Sequence, residues 1–557
     1  MKTLLKQLLG IFLTISICIL LFVATGAFLY WKYIKVSVPK QSVLHIALND
    51  ELLETGRNRE RDLLSLVSAI DCARADPKIK GVYLEADASW NAGWASLEEI
   101  RSALKRFKAA GKFIVAYGNH YSQRAYYLTS CADETILHPA GVFMLVGLNF
   151  TLTHYRDLLD KLGIEADVLR IGRYKSAAEA YTKNHASAEC RYQYTVLAHN
   201  LYDRFLKQTA AAKGLKASQI RAWAQTLTAI LPQQALDRKL FSQLGYPVDA
   251  KDNIRKRLDM AEDAKLPLIP VQRYAYSTVQ SKASKKDSIA IVTMCGAIDD
   301  KLVDTIVAQL RKARKCPEVK AIVLRINSPG GSALASQTLW HEITLTKAQK
   351  PVIASLGDVA ASGGYYAAVA CDKIVAQPNT ITGSIGIFGL FFYTDKLLAN
   401  KLGITKSVIK TAPSGDLFSR KMYPQERSVW RKILQSGYDG FLERVSKGRK
   451  LTRSQVSALA QGRVWSGELA HKKGLVDALG GLHTAVTAAA RTAQLECPYK
   501  VSIWPTQLKS MWRRFDRYVQ SSPLSHWKVL AHSNELVRDV AAMQGIQARM
   551  PYDLTVA

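Results

Sequence analysis

The chain offers little for disulfide or metal chemistry. Its eight cysteines among 557 residues, Cys18, Cys72, Cys131, Cys190, Cys295, Cys316, Cys371 and Cys497, are scattered, with no Cys-x-x-Cys pair and no histidines at ligand spacing. This excludes a disulfide framework and a structural metal site as organisers of the fold, and the cysteines read as small buried hydrophobes. Low-complexity and long disordered blocks are also missing. With 48% hydrophobic and 22% charged residues the chain is expected to fold nearly throughout, into more than one core. Negative charge is scarce: 46 Asp and Glu stand against 76 Lys and Arg, a net charge of +30. Such a chain is drawn to anionic surfaces. It has no zinc-finger spacing, RNA-binding signature or basic recognition helix, so nucleic acid is not expected as a partner and an anionic membrane surface is the better fit.

Long apolar runs occur once. Residues 8–30 carry no charge, and the apolar stretch is long enough for a bilayer core of about 30 Å. A cleavable signal peptide has a shorter apolar region of about 7–15 residues, so this reads as a transmembrane anchor. Tyr30 and Trp31 suit the interface at its far end. Lys2 and Lys6 on one side and Lys32 and Lys35 on the other leave the orientation open.

From residue 42 onward, short β-branched runs alternate with amphipathic stretches, as in βαβ units. The order Ser42-Val43-Leu44-His45-Ile46, a helical stretch, then Gly81-Val82-Tyr83-Leu84 returns as Ile289-Ala290-Ile291-Val292, a helical stretch, then Ala321-Ile322-Val323-Leu324. Lys161-Leu162-Gly163-Ile164 recurs as Lys401-Leu402-Gly403-Ile404. Gly118, Tyr126-Tyr127 and Asp133 match Gly357, Tyr365-Tyr366 and Asp372 at a nearly constant step. The chain therefore contains one module twice. The organisation read from this is a membrane anchor (1–40), a first repeat (41–249), a linker (250–287), a second repeat (288–496) and a basic, Trp-containing extension (497–557).

The two copies differ in their chemistry. Asp358-Val359-Ala360-Ala361-Ser362-Gly363-Gly364-Tyr365-Tyr366 follows an apolar run and reads as a strand-to-helix turn exposing a serine. Ser362 aligns with Gln123 in the first copy, and Gly363-Gly364 with Arg124-Ala125. Conversely, Gly172-Arg173-Tyr174-Lys175-Ser176 lies in the first copy, where Lys175 aligns with Gly415 of the second. Each copy lacks what the other keeps, as expected of one site built across both. A serine hydroxyl needs a base, and no histidine stands in triad spacing; His120 and His341 read as ordinary residues. A lysine can serve if burial lowers its pKa by roughly three units, at a cost of about 4 kcal/mol. Asn327-Ser328-Pro329-Gly330-Gly331 follows another strand. Its two glycines let backbone N–H groups approach a substrate closely, as an oxyanion hole requires. Ser102-Ala103-Leu104-Lys105 also fits a Ser-x-x-Lys pattern but lies on a charged amphipathic helix without partner motifs and reads as surface.

Asn-Ser-Pro-Gly-Gly, Ala-Ser-Gly-Gly-Tyr-Tyr, Thr382-Gly383-Ser384-Ile385-Gly386 and Gly-Arg-Tyr-Lys-Ser together resemble the signal peptide peptidase A family in its long, duplicated form. The resemblance implies an α/β fold of two tandem crotonase/Clp-protease-like ββα domains after an N-terminal transmembrane helix. It also implies a Ser362 nucleophile, a Lys175 general base, an oxyanion hole at Gly330 and Gly331, and a lysine-orienting Ser384. Neither cofactor nor metal is implied. The expected enzyme is a membrane-anchored serine endopeptidase that degrades cleaved signal peptides and other short apolar peptides. It would sit at a bacterial inner membrane with its catalytic part on the periplasmic side, as a homo-oligomer, a tetramer by resemblance. Two alternatives remain: a crotonase-type acyl-CoA enzyme and an inactive membrane scaffold of the same fold. The stretch beyond 497 is not covered by the resemblance.

Overall fold

The computed structural model describes residues 10, 38–48, 52, 54, 62–86, 92–278, 287–496, 499–504 and 545–549. Except for Gly10, the apolar stretch 8–30 lies outside them. Among the described residues no helix is long and apolar enough to cross a membrane.

Each half is built on a largely parallel sheet. In the first half the strands are β1 (Ser42–Leu48), β2 (Ile79–Ala86), β3 (Phe113–Ser122), β4 (Glu134–Met144), β5 (Glu165–Ile171), β6 (Gln243–Leu244) and β7 (Leu268–Pro270). The sheet runs β6-β4-β3-β2-β1-β7, with every neighbouring pair parallel. The second half has β8 (Ser288–Cys295), β9 (Val319–Ser328), β10 (Gly330–Ser332), β11 (Val352–Ala361), β12 (Lys373–Ala376), β13 (Ile381–Gly383), β14 (Ile387–Tyr393), β15 (Val464–Ser466) and β16 (Ala478–Leu479). The terminal strands are β17 (Lys500–Trp504) and β18 (Gly545–Arg549). The second sheet runs β15-β13-β11-β9-β8-β17, with β12 and β16 branching from β11. Strands covered on both faces carry continuous apolar runs rather than alternation. Val82-Tyr83-Leu84 and Ala321-Ile322-Val323-Leu324 are buried at every position.

The duplication is visible element by element. β3 leads into a short helix, Gln123–Thr129, just as β11 leads into Gly363–Ala368. The recurrent Lys-Leu-Gly-Ile ends a helix in each half, Arg156–Leu162 and Asp395–Leu402, with Gly163 (φ 77°) and Gly403 (φ 64°) as left-handed caps. Each half then carries a helix of 26 residues, Ala188–Lys213 and Pro424–Arg449. Two large apolar cores, one over each sheet, are flanked by smaller clusters among the described residues. Each large core borrows from the other half: Ala361, Ile381 and Val464 pack into the first core, and Leu169 into the second.

Two stretches read as connection or extension are knitted into the sheets. Within 250–287 the strand β7 lies parallel to β1, and the helix Pro247–Arg257 packs Ala250 and Ile254 onto the first sheet. The surrounding charge masks this short apolar strand, of which Ile269 is buried. Beyond 497, β17 lies parallel to β8 at the sheet edge.

The halves are joined by a third, antiparallel sheet of order β10-β18-β14-β5. Here β5 of the first half pairs with β14 of the second along its whole length, from Ile171↔Ile387 to Glu165↔Tyr393. This pairing brings the loop after β5 to the loop before β14.

Candidate active site

Ser362 follows β11 and caps the helix Gly363–Ala368 with φ 54° and ψ −114°. A non-glycine residue in that region is strained, and the surroundings must hold it there. Its N–H donates to the Gly383 carbonyl at 2.8 Å, its carbonyl accepts from the Tyr366 N–H at 2.8 Å, and Gly364 lies where a Cβ would meet the Ser328 carbonyl oxygen at 2.8 Å. The serine is thus fixed at the sheet's end, with a helix N-terminus behind it.

Lys175 arrives from the loop after β5. Its Nζ lies 2.7 Å from Ser362 Oγ, 3.0 Å from Ser384 Oγ and 3.0 Å from the Ser384 carbonyl oxygen. All three residues are fully buried. Burial pushes the Lys175 ammonium well below its ordinary pKa, and no carboxylate offsets that penalty. A neutral amine has two N–H donors and one lone pair. Three polar neighbours match that inventory: two oxygens of Ser384 for the donors and the Ser362 hydroxyl for the lone pair.

The lysine is seated by close backbone contacts that the motifs do not announce. Gly462 (φ 76°) lies so near that an added Cβ would be 2.6 Å from the Lys175 Cβ and backbone N. A Cβ on Gly386 would meet Lys175 Cδ at 3.2 Å. The Tyr174 N–H donates to the Gln461 carbonyl at 2.8 Å, and Gly462 N–H to the Ile385 carbonyl at 2.8 Å. Gln193 bridges the halves: its Nε2 donates to the Tyr174 carbonyl and Ser176 Oγ, each at 3.0 Å, and its Oε1 accepts from Val464 N–H at 3.3 Å. Sequence reasoning missed Gln193, Gln461 and Gly462. The only signal was an isolated glycine 287 residues away from the lysine it touches, invisible without the fold.

Gly330 and Gly331 form β10 and pack beside the helix that follows Ser362. The Gly330 N–H donates to Ser328 Oγ at 3.2 Å, and its carbonyl accepts from Ile298 N–H at 2.8 Å. A Cβ on Gly331 would meet the Ile298 carbonyl oxygen at 2.2 Å, so this approach requires glycine. The structure therefore brings Ser362, Lys175 and Ser384 into direct contact, with Gly330 and Gly331 on the strand bordering the same helix. His120 and His341 take no part, and Lys105 of the Ser-x-x-Lys string points to Gln208 on the surface. Among the described residues no group of His, Cys, Asp and Glu is arranged to hold a metal ion.

Comparison with known proteins places these residues in context. Residues 106–261 and 344–496 match peptidase family S49, one segment containing Lys175 and the other Ser362. Residues 275–382 match the Clp protease family. The chain is 33% identical over 485 residues to "Serine protease SPPA, chloroplastic" of Arabidopsis thaliana, covering 84% of this chain and 71% of that one. It is 34% identical over 481 residues to "Protease 4" of Salmonella typhi, covering 83% of this chain and 77% of that one. It is 36% identical over 462 residues to "Protease 4" of Haemophilus influenzae, covering 77% and 73%.

Proposed function

Because the chain belongs to peptidase family S49, with a Clp-protease-like α/β fold, and is a serine protease, we propose that Ser362 is its nucleophile and Lys175 its general base. The observation that carries this is the 2.7 Å contact between Nζ and Oγ of two fully buried side chains. The neutral amine takes the Ser362 proton as the oxygen attacks the substrate carbonyl, while Ser384 holds the two remaining N–H groups. Negative charge developing on the carbonyl oxygen is met by the Gly331 N–H and by the Gly330 N–H, which exchanges its Ser328 Oγ partner for the substrate oxygen. The lysine then gives its proton to the leaving amine, and water releases the acyl group by the reverse sequence. An acyl-CoA enzyme of crotonase type would need no lysine aimed at a serine, and an inactive scaffold would need neither.

The substrates are short extended peptides of apolar character, cleaved signal peptides among them. β18 supports this reading, for it shows that an extended backbone fits between β10 and β14, antiparallel to both, beside the proposed oxyanion strand. The domain reading follows: an anchor in 1–40 that spans the membrane through 8–30, two tandem ββα repeats at 41–249 and 288–496 joined through 250–287, and an extension from 497. The catalytic part faces the periplasm of a bacterial inner membrane, and the chain works as a homo-oligomer.

Hydrolysis of a fluorogenic apolar peptide by wild type, Ser362→Ala and Lys175→Ala tests the proposal. Near-complete loss in both variants is expected. Hydrolysis at the wild-type rate in either one refutes the dyad.

A further inference from the structure

The nucleophile strand is irregular just before Ser362. β9 and β11 pair in step down to Ile326↔Leu356 and resume at Ser328↔Ala360, so β11 carries two more residues than β9 across the gap. Such a bulge beside a site re-aims the residues that follow it, and its unpaired groups need other partners. Each of its three residues is tied elsewhere, Gly357 and Val359 through backbone groups and Asp358 through its carboxylate. The Gly357 carbonyl accepts from Thr380 Oγ1 at 2.8 Å. The Val359 N–H donates to Asn327 Oδ1 at 3.0 Å, so a side chain of β9 replaces the missing ladder bond. The Asp358 carboxylate accepts from the backbone N–H of Ser96 at 2.9 Å and from the Ser96 hydroxyl.

Two of these ties lead into the other half of the chain. Asn327 is oriented through its Nδ2, which donates to Glu54 Oε2 at 3.3 Å, and Glu54 is in turn ion-paired with the buried Arg325. Ser96 stands in the first turn of the helix Trp94–Ala109, whose N-cap Gly93 has no side chain to satisfy the exposed N–H groups. Asp358 caps that helix from the opposite repeat. Gly93 makes room for it: an added Cβ would lie 2.0 Å from Asp358 Cγ. Glu99 of the same helix returns the arrangement. It pairs with Arg325 and accepts from Leu482 N–H at 3.2 Å, at the start of a second-half helix whose N-cap, Gly481, also lacks a side chain.

We propose that Asn327 and Asp358 are positioning residues for Ser362, and that the first repeat, through Glu54 and the Gly93–Ser96 turn, fixes the bulge that aims the nucleophile. The inference rests on the reading of Ser362 as nucleophile. By it the first repeat, which has lost its own serine, supplies both the base and the frame for the serine of the second. The bulge ends three residues before Ser362, and a displacement there of the order of 1 Å suffices to lower turnover about 10²-fold.

The test measures kcat and KM for apolar peptide hydrolysis, together with the rate at which a fluorophosphonate labels Ser362, in Asn327→Ala, Asp358→Ala, Asp358→Asn and Gly93→Ala. Circular dichroism and thermal unfolding restrict the comparison to folded protein. Positioning predicts that Asn327→Ala and Asp358→Ala lose kcat and labelling rate in parallel, about 10–10²-fold, with KM nearly unchanged. Asp358→Asn keeps an oxygen for the Ser96 N–H and should recover most of the rate. Gly93→Ala, in the other repeat, should reproduce the Asp358→Ala loss, and the double variant should lose no more than either single one. Wild-type kcat and labelling in both alanine variants would overturn the proposal, as would a loss confined to KM or equal loss in Asp358→Asn. If Ser362→Ala is inactive while these variants keep wild-type kcat, only this inference fails. If Ser362→Ala remains active, the dyad reading fails and takes this one with it.

Discussion

Lys175 Nζ and Ser362 Oγ are 2.7 Å apart in space and 187 residues apart in sequence, and neither repeat holds both. The pairing of β5 with β14 closes that gap. An antiparallel ladder between the halves fixes the loop carrying the lysine against the turn carrying the serine, and Ser384 lies in the short connection that leads into that ladder.

The pH dependence of hydrolysis follows from this environment. Burial depresses the lysine's pKa, and the neutral amine is the active form, so kcat/KM should rise with pH through that depressed value and then level off. Lys175→Arg cannot deprotonate near neutrality and should be inactive across the range. A profile of unchanged shape in Lys175→Arg would assign the rising limb to another group.

The same burial costs stability while the lysine is charged. A lysine whose folded pKa lies below its unfolded value of about 10.5 imposes least cost above the unfolded pKa, and stability falls as pH drops through the folded one. Lys175→Met removes that charge and nearly keeps the volume. It is expected to raise Tm at neutral pH while abolishing activity, with the gain shrinking as pH approaches 10.5. Thermal unfolding of both proteins across pH checks this, and a lower Tm for the Met variant at neutral pH contradicts it.

Two glycines of positive φ, one against the lysine and one not, separate geometry from backbone strain. Gly462 and Gly296 both have positive φ, 76° and 91°. A Cβ at 462 strikes the Lys175 backbone, whereas nothing lies within 4 Å of one at 296. Gly296→Ala should cost about 1 kcal/mol of left-handed strain and leave activity intact. Gly462→Ala should displace the lysine and lower kcat about 10²-fold or more. Equal activity in the two variants would show that the 462 contact does not seat the base.

Much of this was legible in the sequence because duplication supplied an internal comparison. The loss of Ser362's counterpart at Gln123 and of Lys175's counterpart at Gly415 pointed to one shared site before any fold was known. The parallel strands were legible for the same reason that they are buried: continuous β-branched runs at matching steps. The antiparallel joining sheet was not, because β5 and β14 are separated by over two hundred residues and pair through backbone groups that leave no compositional trace. Nor were Gln193 and Gly462, each ordinary until the fold sets it against Lys175. The cross-repeat caps were hidden too: nothing in the sequence near Gly93 and Gly481 shows that each makes room for a carboxylate from the other half.

β18 occupies the space between β10 and β14 that an extended peptide is proposed to enter. Ending the chain at residue 544 should therefore lower KM for added peptides with kcat little changed, since a competing intramolecular strand is removed. Steady-state kinetics of the shortened chain decide it, and an unchanged or higher KM would show that peptides bind elsewhere.

The most direct measurement of the central claim is the rate of covalent labelling by a fluorophosphonate, with the modified residue identified by peptide mass mapping, as a function of pH in wild type and Lys175→Ala. The shared site predicts a label on Ser362, a rate that rises with pH through the lysine's depressed pKa, and at least about 10³-fold slower labelling in Lys175→Ala. A label on a different serine, or labelling of Lys175→Ala at the wild-type rate, would contradict it.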